Sequence, residues 1–174
     1  MTDDPTFITR PADGPAAADR VRRGGVVMGR RPLASRWQSH AWTPLRVEVA
    51  PGLTTPALLH ASGGTEEWLY PELEVELFRD EAEGYYLNLS APAPVVFVHW
   101  SQEESVVSVL RLTLSYHQAA RFMDGGMQVD PVPLPAAWLQ WLSDFTRTHY
   151  RPETRQPRAR PPSFRGARRT ARDG

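Results

Sequence analysis

The sequence contains no cysteine and no lysine. Without a thiol there is no disulfide scaffold, no thiolate zinc site, no iron–sulfur cluster and no cysteine nucleophile. Without lysine there is no Schiff-base chemistry and no phosphate-loop lysine. No apolar run approaches the ~20 residues that cross a bilayer, so no membrane association is expected. The stretch from Met1 to Arg23 is polar and carries four acids, unlike a secretory signal. Arg30-Arg31 lacks the apolar segment that follows a twin-arginine export signal; Trp37, Gln38, Ser39, His40 and Thr43 follow instead. The expected compartment is the cytoplasm. The sequence holds no HExxH, no G-x-S-x-G elbow and no GxGxxG or phosphate loop. Five histidines, His40, His60, His99, His117 and His149, are scattered without ligand spacing. No catalytic residue, no metal ligand and no cofactor is assigned.

All 20 basic residues are arginine, and they offset 20 acids exactly in number, so the formal charge is zero. The arginine bias, with many Ala, Gly and Pro residues, fits a GC-rich genome. The zero hides a segregation. Residues 1–25 are neutral, with four arginines and four acids. Residues 26–150 hold eight arginines and fourteen acids, a net charge of −6, and residues 151–174 hold eight arginines and two acids, a net charge of +6. The last segment also carries four prolines and one large apolar residue, Phe164. Such a segment buries too little surface to offset its ordering entropy, so 151–174 is expected to be disordered, as is the Ala/Asp/Gly/Pro-rich stretch 1–24. The remainder, 25–150, is expected to form a single α+β domain; six tryptophans and 41% hydrophobic residues suffice for a core.

The middle of the chain reads mainly as strands. Gly25–Met28 is the first, closed by Pro32. Trp42–Val49 is the second, with Leu45, Val47 and Val49 on one face. Residues 52–64 read as a loop. Leu73, Val75 and Leu77 alternate with Glu72, Glu74 and Glu76, a half-buried strand. Arg79–Gly84 reads as a short acidic hairpin loop, with Tyr85–Leu89 as the return strand. Val95–Trp100 is continuously apolar except for His99 and suits a central strand covered on both faces. Val106–Leu114 is a further strand, with Leu110, Leu112 and Leu114 on one face. Tyr116–Met123 reads as a short helix stopped by Gly125-Gly126. Gly24-Gly25 and Gly63-Gly64 read likewise as turn signals. Asp130–Pro135 reads as a stiff extended connection. Pro135–His149 is an amphipathic helix with Trp138, Leu142, Phe145 and His149 in its stripe. The expectation is a mainly antiparallel sheet followed by a short helix and a C-terminal amphipathic helix. Whether the sheet closes into a small barrel, the spacing leaves open.

The densest constellation is Arg30, Arg31, Arg36, Trp37, His40 and Trp42. One reading is an anion or nucleotide site, with arginine forks gripping phosphate and tryptophan stacking a base. The other makes both tryptophans core and pairs the arginines with nearby acids. Aromatic residues dominate cores, which favours the second. Asp80, Glu81 and Glu83 with the strand glutamates lack calcium-loop spacing and read as a solvated face. That face is also a dock for the basic tail or a basic partner. His99 interrupts an apolar strand and, if buried, needs a hydrogen-bond partner. The tail arginines Arg155, Arg158, Arg160, Arg165, Arg168 and Arg169 suit salt-dependent contact with nucleic acid or acidic protein.

Three runs carry a family resemblance: residues 27–42 (VMGRRPLASRWQSHAW), residues 75–89 (VELFRDEAEGYYLNL) and residues 131–135 (PVPLP). Over roughly residues 26–152 the chain resembles an uncharacterised bacterial domain-of-unknown-function family encoded beside formate dehydrogenase subunits and molybdenum-cofactor genes. The resemblance implies a non-catalytic accessory or assembly role near a formate dehydrogenase-type molybdoenzyme, with a subunit of that enzyme as partner. The expected contact residues are Arg30, Arg31, Arg36, Trp37 and Trp42. The alternative is a nucleic-acid-binding regulator acting through the tail, and a third reading is an enzyme built around His99 or the arginine–tryptophan segment.

Overall fold

The structure is a computed structural model and describes residues 17–36, 38–104 and 106–152. Among the described residues, seven strands form two antiparallel sheets. The first sheet holds β1 (Val21–Pro32), β2 (His40–Val49), β3 (Ala57–Ser62) and β4 (Thr65–Glu76), in the order β2-β1-β4-β3. The second holds β5 (Val95–Glu103), β6 (Val106–Thr113) and β7 (Gln128–Pro133), in the order β6-β5-β7. Helices α1 (Ala82–Leu89), α2 (Tyr116–Asp124) and α3 (Ala136–His149) are interleaved with the strands. The α+β expectation holds, but the helices do not all follow the sheet, and the sheet is split in two and does not close into a barrel.

The core lies between the sheets. Val26, Met28, Val47 and Val75 from the first sheet meet Val96, Val98, Trp100, Val107, Leu112 and Val132 from the second. Trp138, Leu142 and Phe145 of α3 and Tyr85 of α1 close the same core. Burying a side chain of this size contributes roughly 1.5–3 kcal/mol. β5 is the covered central strand its composition predicts. Val96, Val98 and Trp100 face the core, while Phe97 and His99 meet Tyr116 and Phe122 at 5.0 and 5.3 Å between ring centroids. Both contacts bring α2 over the outer face. In α2 the Ser115 side chain caps the helix by accepting from Gln118 N.

Two bulges change which residues point inward. Between Val27 and Met28 the pairing with β2 slips by one residue at Leu45. Leu45 therefore leaves the face of Val47 and packs over Gly29, while Pro44 is buried and Trp42 packs on the core. The same device acts in β6, where His99 pairs with Arg111 and Trp100 with Val109, so Leu110 is the extra residue and is exposed. A single inserted residue inverts side-chain direction downstream. The expected Leu45/Val47/Val49 and Leu110/Leu112/Leu114 stripes are broken for this reason.

Other expectations are corrected. Residues 57–62 are the edge strand β3, within the stretch read as a loop. Tyr85–Leu89 is helical, part of α1. Its buried positions Ala82, Tyr85 and Asn88 recur every three residues, a helical spacing that the acidic loop-like start conceals. Gly84 is then a packing residue and not a turn. Asp130–Pro133 belongs to strand β7, whose two prolines are tolerated because the strand is at a sheet edge. Gly24 and Gly25 lie inside β1, which starts at Val21. A Cβ on Gly24 would sit 3.1 Å from the Trp138 ring, so the glycine lets α3 approach the sheet. Gly63 and Gly64, both at positive φ, do form the β3–β4 turn.

Candidate functional site

The register of β1 brings Arg30 opposite Trp42 on one side and Glu66 on the other. Its guanidinium donates to Glu66 Oε2 at 2.8 Å, lies 3.2 Å from His40 Nδ1, and sits 5.8 Å from the centre of the Trp42 ring. Glu66 Oε2 also accepts from the Trp68 indole at 2.8 Å. The Trp68 and Arg30 hydrogen bonds hold the Glu66 carboxyl below its usual pKa. One carboxylate thus fixes an arginine and an indole in place, and that arginine backs a second indole.

Trp42 is half-buried and forms a wall common to three adjoining depressions. The largest, about 590 Å³, lies toward the second sheet among Gln38, Trp100, Gln102, Glu104 and Gln128. Another, about 320 Å³, is lined by Arg30, Trp42, Trp68, Tyr70, Val106 and Val107. The result is an open aromatic cleft where the ends of the two sheets meet. It offers indole and phenol faces, amide side chains and one braced guanidinium, a mixture suited to a protein surface. Trp68, Tyr70, Trp100 and Gln102 escape the sequence reading because only strand register and sheet packing bring them to Trp42. The clue in the sequence was the i, i+2 spacing of Glu66 and Trp68, which puts an acid and an indole on one strand face.

The expected contact residues are only partly united. Arg30 and Trp42 come together. Arg31 follows Arg30 along the strand and points to the opposite sheet face, exposed. Arg36 is exposed in the loop between β1 and β2. Neither makes an ion pair among the described residues. Trp37 and the tail arginines Arg155, Arg158, Arg160, Arg165, Arg168 and Arg169 lie outside the described residues. Trp42 packs against the core and Arg30 is acid-paired, as the second reading expects, and the Trp42 indole also walls open clefts.

His99 does not join this cleft, because it lies on the face of β5 opposite Trp100. Its Nδ1 is buried with no hydrogen-bond partner among the described residues. Burial, and then the Arg111 charge, lower its pKa. Glu81, part of the expected acidic loop, is buried, accepts from Ser115 Oγ and pairs with Arg121. Of the strand glutamates, Glu74 pairs with Arg23 at 2.7 Å on the surface.

Residues 23–160 match the family described as "Protein of unknown function (DUF3305)". No curated protein and no solved structure matches the chain.

Proposed function

The chain belongs to the DUF3305 family of unknown function, and from that premise we propose that it is a non-catalytic accessory or assembly factor that docks on a formate dehydrogenase-type molybdoenzyme. The Trp42 cleft is its contact surface. The observation that carries this reading is the braced Arg30–Glu66–Trp68 triad beside the half-buried Trp42 indole. Rigid aromatic anchors next to an arginine are the groups that dominate protein interfaces. Preorganisation by Glu66 lowers the ordering entropy that docking costs. The neighbouring formate dehydrogenase and molybdenum-cofactor genes implied by the resemblance supply the partner. Arg31 and Arg36 lie nearby in sequence as exposed cations and serve as steering charges toward an acidic partner surface.

The test is complementation in cells lacking the protein. Wild type and an exposed-surface control such as His60→Ala restore formate dehydrogenase activity, whereas Trp42→Ala does not, although the variant accumulates as folded protein. Full activity in the deleted cells would refute the role.

A second reading rests on the +6 charge of residues 151–174. It makes the chain a nucleic-acid-binding regulator, with affinity falling steeply with salt and lost on removal of the tail. An unchanged gel shift after that truncation refutes it.

A further inference from the structure

The end of α3 meets the start of α1 at a second place, remote in sequence from the Trp42 cleft. Here Arg79, Ala82 and Glu83 face His149, Tyr150 and Arg151 across a cavity of about 220 Å³. Arg20 approaches from β1's leading turn, where its carbonyl accepts from Leu77 N, two residues before Arg79. We propose that this cavity binds a phosphate group, held by the guanidinium groups of Arg79 and Arg151, with Arg20 as a third, flanking cation.

Three observations support the assignment. First, none of the three arginines makes an ion pair among the described residues, although five other arginines do. Cations grouped without ion-pair partners repel one another until an anion joins them. Second, Arg20 Nε and His149 Nε2 are both buried with no hydrogen-bond partner among the described residues. Buried unsatisfied polar atoms are uncommon and call for a missing partner or a compensating role. Third, the frame is rigid: Tyr150 stacks on Tyr86 at 4.3 Å, and His149 packs on Phe145 at 4.4 Å.

The charge count selects the ligand. Arg79 and Arg151 against Glu83, the one carboxylate among the described lining residues, leave +1 in the lining, and the flanking Arg20, whose charge also acts on His149, brings the site to +2, the charge complement of a phosphate dianion. Guanidinium forks also match phosphate oxygens geometrically. The dipole at the C-terminal end of α3 favours cations there in any case, but it does not gather a residue from each of three separate segments. His149 reports the occupancy. Burial and the charges of Arg79, Arg151 and Arg20 depress its pKa. On its other side the ring borders a cavity that also holds Arg22, Asp19 and Asp144, the last already paired with Arg147. A dianion cancels the arginine field, so binding raises the His149 pKa.

The experiment follows histidine ring resonances of the full chain during titration at constant ionic strength, with sodium chloride exchanged for the ligand. Inorganic phosphate and adenosine monophosphate are the two probes, separating the free ion from a phosphomonoester. The expected result is a saturable shift of His149 with at least one probe, with the exposed His60 unmoved. Arg79→Gln and Arg151→Gln, both at exposed positions, are each expected to weaken binding by about ten-fold without altering thermal unfolding. A His149 response no different from chloride, or unaltered binding in both variants, overturns the proposal.

Discussion

Gly84 of α1 lies directly under Ser115, so closely that a Cβ on Gly84 would fall 2.1 Å from Ser115 Oγ. Ser115 is itself fully buried, caps α2 and donates to Glu81. One missing methyl group therefore lets three elements share a junction: the turn before α1, α1 itself and the start of α2. Gly84→Ala is expected to destabilise the protein by about 1–3 kcal/mol, the usual cost of overpacking a tight site. That is so even though alanine is the better helix former. Denaturant unfolding measures it; an unchanged midpoint would show that the junction has slack.

Asn88, the only asparagine in the chain, ties α1 to the second sheet. Its amide donates to Val95 O at 2.8 Å and Leu114 O at 2.9 Å, and accepts from Val95 N at 3.0 Å. Asn88→Leu leaves those backbone groups unpaired, the Leu114 carbonyl buried and the two Val95 groups part-buried. The expected loss is about 2–4 kcal/mol, since each orphaned group costs roughly 1–3 kcal/mol. Asn88→Asp replaces a donor with a charge facing two carbonyl oxygens and is expected to be no better. Calorimetric melting of both variants checks the claim.

The two depressed histidines give a pH dependence with a definite sign. His99 and His149 both have folded pKa values below the ordinary 6.5. The unfolded chain therefore binds more protons than the native one below that value, and stability falls as pH drops through 6.5 toward the folded pKa values. Stability near pH 8 is expected to exceed that near pH 5.5, and His99→Phe, which keeps a ring against Phe122, should flatten the difference. A pH profile identical in wild type and variant would contradict it.

These relationships show what a one-dimensional reading captures. The alternation of Leu73, Val75 and Leu77 with glutamates marks β4, and the Trp138/Leu142/Phe145 stripe marks α3, because both patterns follow the local period without interruption. The bulges at Leu45 and Leu110 leave no local mark, since an extra residue is defined only by its partner strand. Helix α1 is hidden because Gly84 and two tyrosines look like hairpin residues until Ser115 is in place. At the candidate site, Arg30 and Trp42 are legible as a pair, but Arg31 is not separable from Arg30 until strand direction is known. Trp68, Tyr70 and Trp100 reach the cleft through register and sheet packing alone.

The triad behind the cleft predicts a separation of effects. Glu66→Gln removes the charge that holds Arg30 while keeping an acceptor for the Trp68 indole. The Arg30–Glu66 pair is about 30% exposed on both sides, so its loss costs little stability, roughly 0–1 kcal/mol. Partner affinity is expected to fall further than stability, because the variant loosens the anchors. Equal losses in the two measurements would make the triad a purely structural brace.

The central claim is that the Trp42 cleft docks on a formate dehydrogenase-type enzyme. The most direct measurement is the affinity of the purified full-length protein for the purified formate dehydrogenase complex by calorimetry, with Trp42→Ala as the paired variant. The account predicts saturable binding that weakens by at least ten-fold in the variant, the effect of losing an interface anchor worth roughly 1.4 kcal/mol or more, with unfolding otherwise cooperative. Absence of binding by the wild type, or binding that Trp42→Ala leaves intact, would contradict it.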